Sequence, residues 1–256
     1  MCSLRTAYLV IVYGFLYLPM AVLVAYSCNE STYGQEWSHI GLHWYRTLAN
    51  DTALIEATLH SLTVAVVAAS ISTLIGSLGA IGLRFYPFRG QAAVKALLLI
   101  TLMSPEIVMG VSLLILFIAL RISLGFSSLL LSHITSCLPF VTVTVLSRLH
   151  DFDPRLIEAA RDLGASEGAA ILRIVAPLTL PAIMAGWLLS FTLSLDDVVV
   201  SFFVTGPYYE VLPLRIYSMV RMGVRPEVNA LATLLFVVSI MLVIVSQRLL
   251  NHGKSS

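Results

Sequence analysis

The chain has 256 residues, 58% of them hydrophobic and 11% charged, with a formal net charge of +1, and its mean hydropathy is +0.92. This composition excludes a soluble globular domain and calls for a membrane as solvent. Its 15 Lys and Arg residues are dispersed, so the basic surface that a nucleic-acid partner would need is missing.

A helix needs about 20 apolar residues to cross the hydrocarbon core. The run 7–26 meets that requirement. Ser27-Cys28 resembles a lipoprotein cleavage site, but Tyr26 is large where such a site takes a small residue, so an uncleaved first span is expected. Five further spans follow at 57–83, 93–120, 125–146, 181–204 and 228–249, which predicts an all-α polytopic membrane domain with six transmembrane helices. The third contains Ser104-Pro105-Glu106. The fourth is interrupted by Ser132, His133, Thr135 and Pro139, which allows a kinked or partly unwound stretch.

Between the fourth and fifth spans lies a polar loop, 151–181. Asp153-Pro154 is a helix start, because the carboxylate accepts free N–H groups and proline tolerates the first helical position. Leu156, Ala160 and Leu163 share one helical face. Gly164 supplies a left-handed stop, Ser166 opens a second helix, and Pro177 and Pro181 are expected to end it. From these features alone the loop is equally an amphipathic connector lying on its own bundle. With the N-terminus inside, ten basic residues fall on the inner side (Arg5, Arg84, Arg89, Lys95, Arg148, Arg155, Arg161, Arg173, Arg248, Lys254) against five outside (Arg46, Arg121, Arg215, Arg221, Arg225). That balance places both termini and the loop in the cytoplasm.

The chain lacks a glycine-rich phosphate loop of the Walker type and a serine-base constellation, so neither ATP hydrolysis by this chain nor an intramembrane enzyme is expected. Cys2, Cys28 and Cys137 form no spaced pair, and His39 with His43 lacks a third ligand, so no disulfide framework, metal or cofactor is expected. The absence of an internal repeat weighs against an inverted-repeat carrier.

Glu158-Ala159-Ala160-Arg161-Asp162-Leu163-Gly164-Ala165, followed by Ile174-Val175-Ala176-Pro177, resembles the cytoplasmic loop of ABC importer permeases. The resemblance covers the whole chain. Tyr86-Pro87-Phe88-Arg89-Gly90, Met103-Ser104-Pro105-Glu106, Ser194-Leu195-Asp196-Asp197-Val198 and Pro226-Glu227-Val228-Asn229-Ala230-Leu231-Ala232-Thr233 are similar to the permeases of spermidine/putrescine importers, above all the second of the two. It implies a type I ABC importer permease (MetI-like) fold in a bacterial inner membrane. It also implies a dimer of ATP-binding subunits gripping Glu158, Ala159, Ala160, Gly164 and Ala165, a second permease, and an external polyamine-binding protein.

Carboxylates near a bilayer centre cost at least about 2.5 kcal/mol each and normally mark function. Glu106, Asp196 and Asp197 are such carboxylates. Measured along straight spans at about 1.5 Å per residue, Glu106 and Asp196 lie about 20 Å from the cytoplasmic end. An acidic level there would attract a polycation, with Ser194 as a neutral acceptor, Pro105 and Gly110 opening the third span, and Trp44 as an outer cation–π contact. The alternative is that the Asp pair caps a helix or pairs with Arg215 or Arg221; which of the two faces the path is left open. Other functions compatible with the residues are an autonomous cation channel or ion-coupled carrier, a permease for another small solute, and a scaffold that recruits an ATPase.

Overall fold

With no water in hydrocarbon to bond peptide groups, a spanning chain must satisfy them internally, and the structure, a computed structural model, is helical throughout its regular elements. It describes residues 2–31, 37, 39–153, 155–221, 227–237 and 240–241. The helices are α1 (Cys2–Ser27), α2 (His43–Asn50), α3 (Thr52–Phe85), α4 (Gln91–Met103), α5 (Glu106–Ala119), α6 (Phe126–His150), α7 (Arg155–Asp162), α8 (Glu167–Ala170), α9 (Ala176–Asp196), α10 (Val199–Val204) and α11 (Leu212–Arg221). Among the described residues four helical stretches are long and apolar enough to cross a membrane, Tyr8–Ser27, Thr52–Phe85, Phe126–His150 and Glu167–Asp196. The pair α4/α5 makes a fifth if counted as one bent span. The expected span 228–249 begins in the apolar helix Glu227–Val237, and of its remainder only residues 240–241, both helical, are described.

The expected third span is not one straight helix: α4 and α5 meet at 112°. Proline forces this turn, since it lacks the N–H and pushes the preceding residue out of the helical region. Ser104 is extended at φ −71°, ψ 132°. The expected fifth span differs too. Pro177 and Pro181 do not end the loop helix, because the π-helical turn Ile171–Val175 links α8 to α9 and Pro177 follows it directly, where the hydrogen-bond ladder is already displaced and the Ala176 N–H donates to the Ile171 carbonyl five residues back. The Thr179 hydroxyl donates to the Val175 carbonyl at 2.8 Å. The helix instead stops at Asp196, with Asp197 extended at ψ 114°, and α10 begins at Val199. By contrast α6 stays helical across Pro139, with the hydroxyls of Thr135, Thr142 and Thr144 each donating to a carbonyl one turn back.

The chain divides into two compact units, Met1–Glu56 with Arg215–Ser256, and Ala57–Leu214. In the first, α1 is an apolar helix with no buried residue in its spanning window. Trp44 is 8% exposed there, and its indole Nε1 donates to the Asn29 carbonyl at 2.8 Å. Asp51 opens α3 by accepting from the Leu54 N–H at 3.1 Å and lies 3.9 Å from Arg215.

In the second unit α6 is the central post and packs most extensively on α9. Near its start, Leu129 joins Val64, Phe117, Val200, Val204, Val211 and Leu214 in one apolar cluster. Near its end, Val141, Val145, Leu146 and Leu149 join Ala80, Leu83, Leu98, Phe152 and Val175 in another. Small residues permit these approaches. A Cβ on Gly76 of α3 would lie 3.0 Å from Val141, and one on Gly186 of α9 would lie 3.3 Å from the same residue. Gly110 does not open α5 as expected. It lets α5 sit against α10, where a Cβ would meet the Phe203 ring and the Val200 Cα at 3.3 Å.

Gly110→Val should therefore destabilise the protein by about 1–3 kcal/mol through overpacking. Gly82→Val is the control, since a Cβ there meets nothing within 4 Å. Thermal unfolding of the detergent-solubilised protein compares the two, and equal midpoints would refute the packing role.

Candidate functional site

Along α6, the stretch between the two apolar clusters is polar where it faces inward: His133, Ser136 and Cys137 line a cavity of about 390 Å³. The α4/α5 break supplies Ser104 and Glu106, and the α9/α10 break supplies Ser194, Asp196 and Asp197. Two interrupted helices and one intact helix thus bring together four of the five residues expected on a substrate path. The straight-span measure of equal depth does not carry this result, because α4 and α5 are not collinear. Trp44 lies in the other unit, buried and hydrogen-bonded as described, a packing role that leaves no open face for an ammonium group.

The carboxylates differ in their partners. Glu106 is the first residue of α5 and is exposed, and a negative charge is favourable at that helix end. Asp197, 14% exposed, is bound up in local structure. Its Oδ1 accepts from the Val200 N–H at 3.2 Å, and its Oδ2 accepts from the Ser201 N–H at 2.7 Å and the Ser201 hydroxyl at 2.8 Å. The capping alternative thus describes Asp197, while Asp196, the last residue of α9, is exposed. Both line the cavity, and they differ in how much of each carboxylate is already engaged.

His133, which the sequence offered only as an interruption of an apolar face, is 4% exposed and touches three of these groups. Its Nδ1 is 2.6 Å from the Ser194 hydroxyl, and its Nε2 is 3.0 Å from the Ser201 hydroxyl and 3.5 Å from Asp197 Oδ2. The signal for it was present: Ser132, His133, Thr135 and Ser136 crowd one turn of a spanning helix, where a polar group needs a partner.

The loop is built as its residues dictate. Asp153 Oδ1 accepts from the Arg155 N–H at 3.0 Å, while Pro154 lies outside the described residues. The helix α7 ends in a Schellman turn: Gly164 adopts φ 83°, its N–H donates to the Arg161 carbonyl, and the Ala165 N–H donates to the Ala160 carbonyl, both at 2.9 Å. The Ser166 hydroxyl then accepts from the Ala169 N–H, and Arg161 pairs with Glu167 across the turn. The buried face differs from the expected one. Ile157 seats α7 on the α6 cluster and Ala160 is buried, whereas Leu163 is 90% exposed because it lies at the turn, past the last packed residue. Glu158, Ala159 and Gly164 are exposed and Ala165 is partly covered.

Known proteins share this architecture. Residues 72–255 match the family described as binding-protein-dependent transport system inner membrane component. A spermidine/putrescine transport system permease protein of Haemophilus influenzae is 56% identical over 244 residues, 95% of each chain. A putrescine transport system permease protein of Escherichia coli is 42% identical over 238 residues, covering 90% of this chain and 85% of that one. Among solved structures, a bacterial ABC transporter that imports the acidic polysaccharide alginate superposes with a TM-score of 0.78 at 15% identity, covering 96% of this chain and 94% of that one.

The unequal partners of the Asp pair separate their effects on stability. Asp197→Ala should cost about 1–2 kcal/mol by removing the α10 cap, and Asp196→Ala should change stability by less than about 0.5 kcal/mol. Denaturation midpoints of the two variants test this, and equal losses would refute the assignment.

Proposed function

Since the chain belongs to the family of binding-protein-dependent transport system inner membrane components, we propose that it is a permease subunit of an ATP-driven importer that carries polyamines inward by alternating access. The observation that carries the cargo class is 56% identity across nearly the whole length to a spermidine/putrescine permease. The protein is a multi-pass component of the inner membrane and works with a dimer of ATP-binding subunits, a second permease and an external binding protein. It does no catalysis itself. The bent α4/α5 pair counts as one of six spans, and both termini face the cytoplasm, a placement supported by the ten-to-five balance of basic residues.

Glu106 and Asp196 are assigned to the cargo. Both are exposed acids lining one cavity, and in a wall of low dielectric two carboxylates attract a flexible polycation and replace part of its hydration. The attraction must stay moderate, or the cation would not leave. Asp197 and Ser194 shape the cavity wall.

The loop is the coupling element. Its inner face is fixed to α6, and its outer face offers Glu158, Ala159 and the exposed Leu163 beside a rigid glycine turn, a shape that suits a groove in a soluble ATPase. From Glu167 the helix runs through the π turn to Asp196 without interruption, roughly 45 Å at 1.5 Å per residue. A displacement of the loop by ATP-driven closure reaches the acidic cavity through this rod.

In the complex reconstituted in liposomes with its binding protein, labelled putrescine or spermidine should enter only with ATP. The double variant Glu106→Gln/Asp196→Asn should lower uptake by about tenfold or more, a loss of about 1.4 kcal/mol or more in cargo stabilisation. Uptake by this chain alone without ATP would refute the importer mechanism. Gly164→Val should insert normally yet lose uptake and cargo-stimulated ATP hydrolysis together, because a β-branched residue does not hold φ 83°; normal uptake would refute the coupling role.

A further inference from the structure

The imidazole of His133 touches a group on each side of the α9/α10 break and one inside it. Ser194 lies in the last turn of α9, Asp197 in the break, and Ser201 in α10. The protons of this cluster can be counted. The carboxylate of Asp197 only accepts, so the single hydroxyl proton of Ser201 goes to it at 2.8 Å. Ser201 Oγ then has only a lone pair to offer His133, which requires the ring proton on Nε2. Nδ1 is left as the acceptor for the Ser194 hydroxyl. A neutral imidazole with its proton on Nε2 satisfies every member, and the other tautomer would leave two acceptors facing each other at 3.0 Å. A second tie holds the far end of α10 to α6, where the Ser128 hydroxyl donates to the Val204 carbonyl at 2.7 Å.

We propose that His133 is the positioning residue of the cargo site: by joining Ser194, Asp197 and Ser201 to α6, it fixes where α9 stops and so turns Asp196 into the cavity. The inference rests on the proposed cation pathway only in the use it gives Asp196. It predicts that the imidazole acts on a carboxylate it does not touch. Without the ring, the two hydroxyls and the cap lose their common partner, the break relaxes, and the last turn of α9 no longer presents residue 196 to the cavity.

The test uses the full complex in membranes, with Cys2, Cys28 and Cys137 replaced and Asp196→Cys introduced as a reporter for a positively charged methanethiosulfonate. His133→Leu should slow modification at 196 by about fivefold or more, and His133→Gln, which keeps a donor for Ser201, should retain at least about half the parent rate. Tyr208→Cys, at a position 95% exposed, reports assembly and should react alike in every background. A rate at 196 unchanged within about twofold in His133→Leu would overturn the proposal. If that variant does not insert, Ser201→Ala carries the test, with a fall of at least about twofold expected and no change overturning it. In a second arm, with Asp196 intact, His133→Leu should lower polyamine moved per ATP by about tenfold while hydrolysis stimulated by the loaded binding protein stays within about twofold. A fold defect would lower both, and an unchanged transport ratio would overturn the role. If the complex with Asp196 intact moves no polyamine while the Asp196→Cys complex labels with the expected dependence on His133, the cargo assignment falls and the positioning role stands.

Discussion

A helix that stops inside a membrane protein leaves peptide groups that hydrocarbon cannot bond, and the second unit depends on how this chain meets that demand twice. At Ser104-Pro105 the break starts with a residue that has no N–H to lose, and α5 begins with an acid. At Asp197 a carboxylate accepts two backbone N–H groups and a hydroxyl of α10, and His133 ties both sides of the break to α6. Because both gaps open toward the polar middle of α6, a cavity forms between two apolar clusters.

That arrangement separates structural charge from available charge. Asp197 uses its negative charge on the helix it caps, whereas Asp196 and Glu106 remain exposed to the cavity. Adjacent residues of the same type therefore have different roles because one is followed by a new helix and the other ends an old one. A cation entering the cavity would meet two open carboxylates beside hydroxyls and apolar side chains, which gives attraction without the full enclosure of a high-affinity site.

One helical stretch, Glu167–Asp196, runs from the loop to the cavity. Ile157 packs α7 on the cluster at the end of α6, while the helix from Glu167 to Asp196 passes two prolines without breaking. The exposed pair Arg161 and Glu167 adds little stability, but it spans the glycine turn and sets the register between α7 and the start of that rod. Leu163, left outside the packed face, is an apolar surface suited to a partner protein.

The sequence by itself determined the membrane class, the helical fold, the polar loop with its glycine turn, and the carboxylates worth attention, because hydropathy, cap chemistry and left-handed glycine are local properties. Only the tertiary structure decided that the third span turns through 112°, that the helix after the loop survives Pro177 and Pro181, and that Leu163 faces outward while Trp44 is buried. It also showed Asp197 bonded to the start of α10 and Asp196 exposed, and it revealed His133 as the group that joins Ser194, Asp197 and Ser201. The His133 contacts join residues 61 to 68 positions apart in the chain, and a local pattern carries no record of which distant hydroxyl will meet a given side chain.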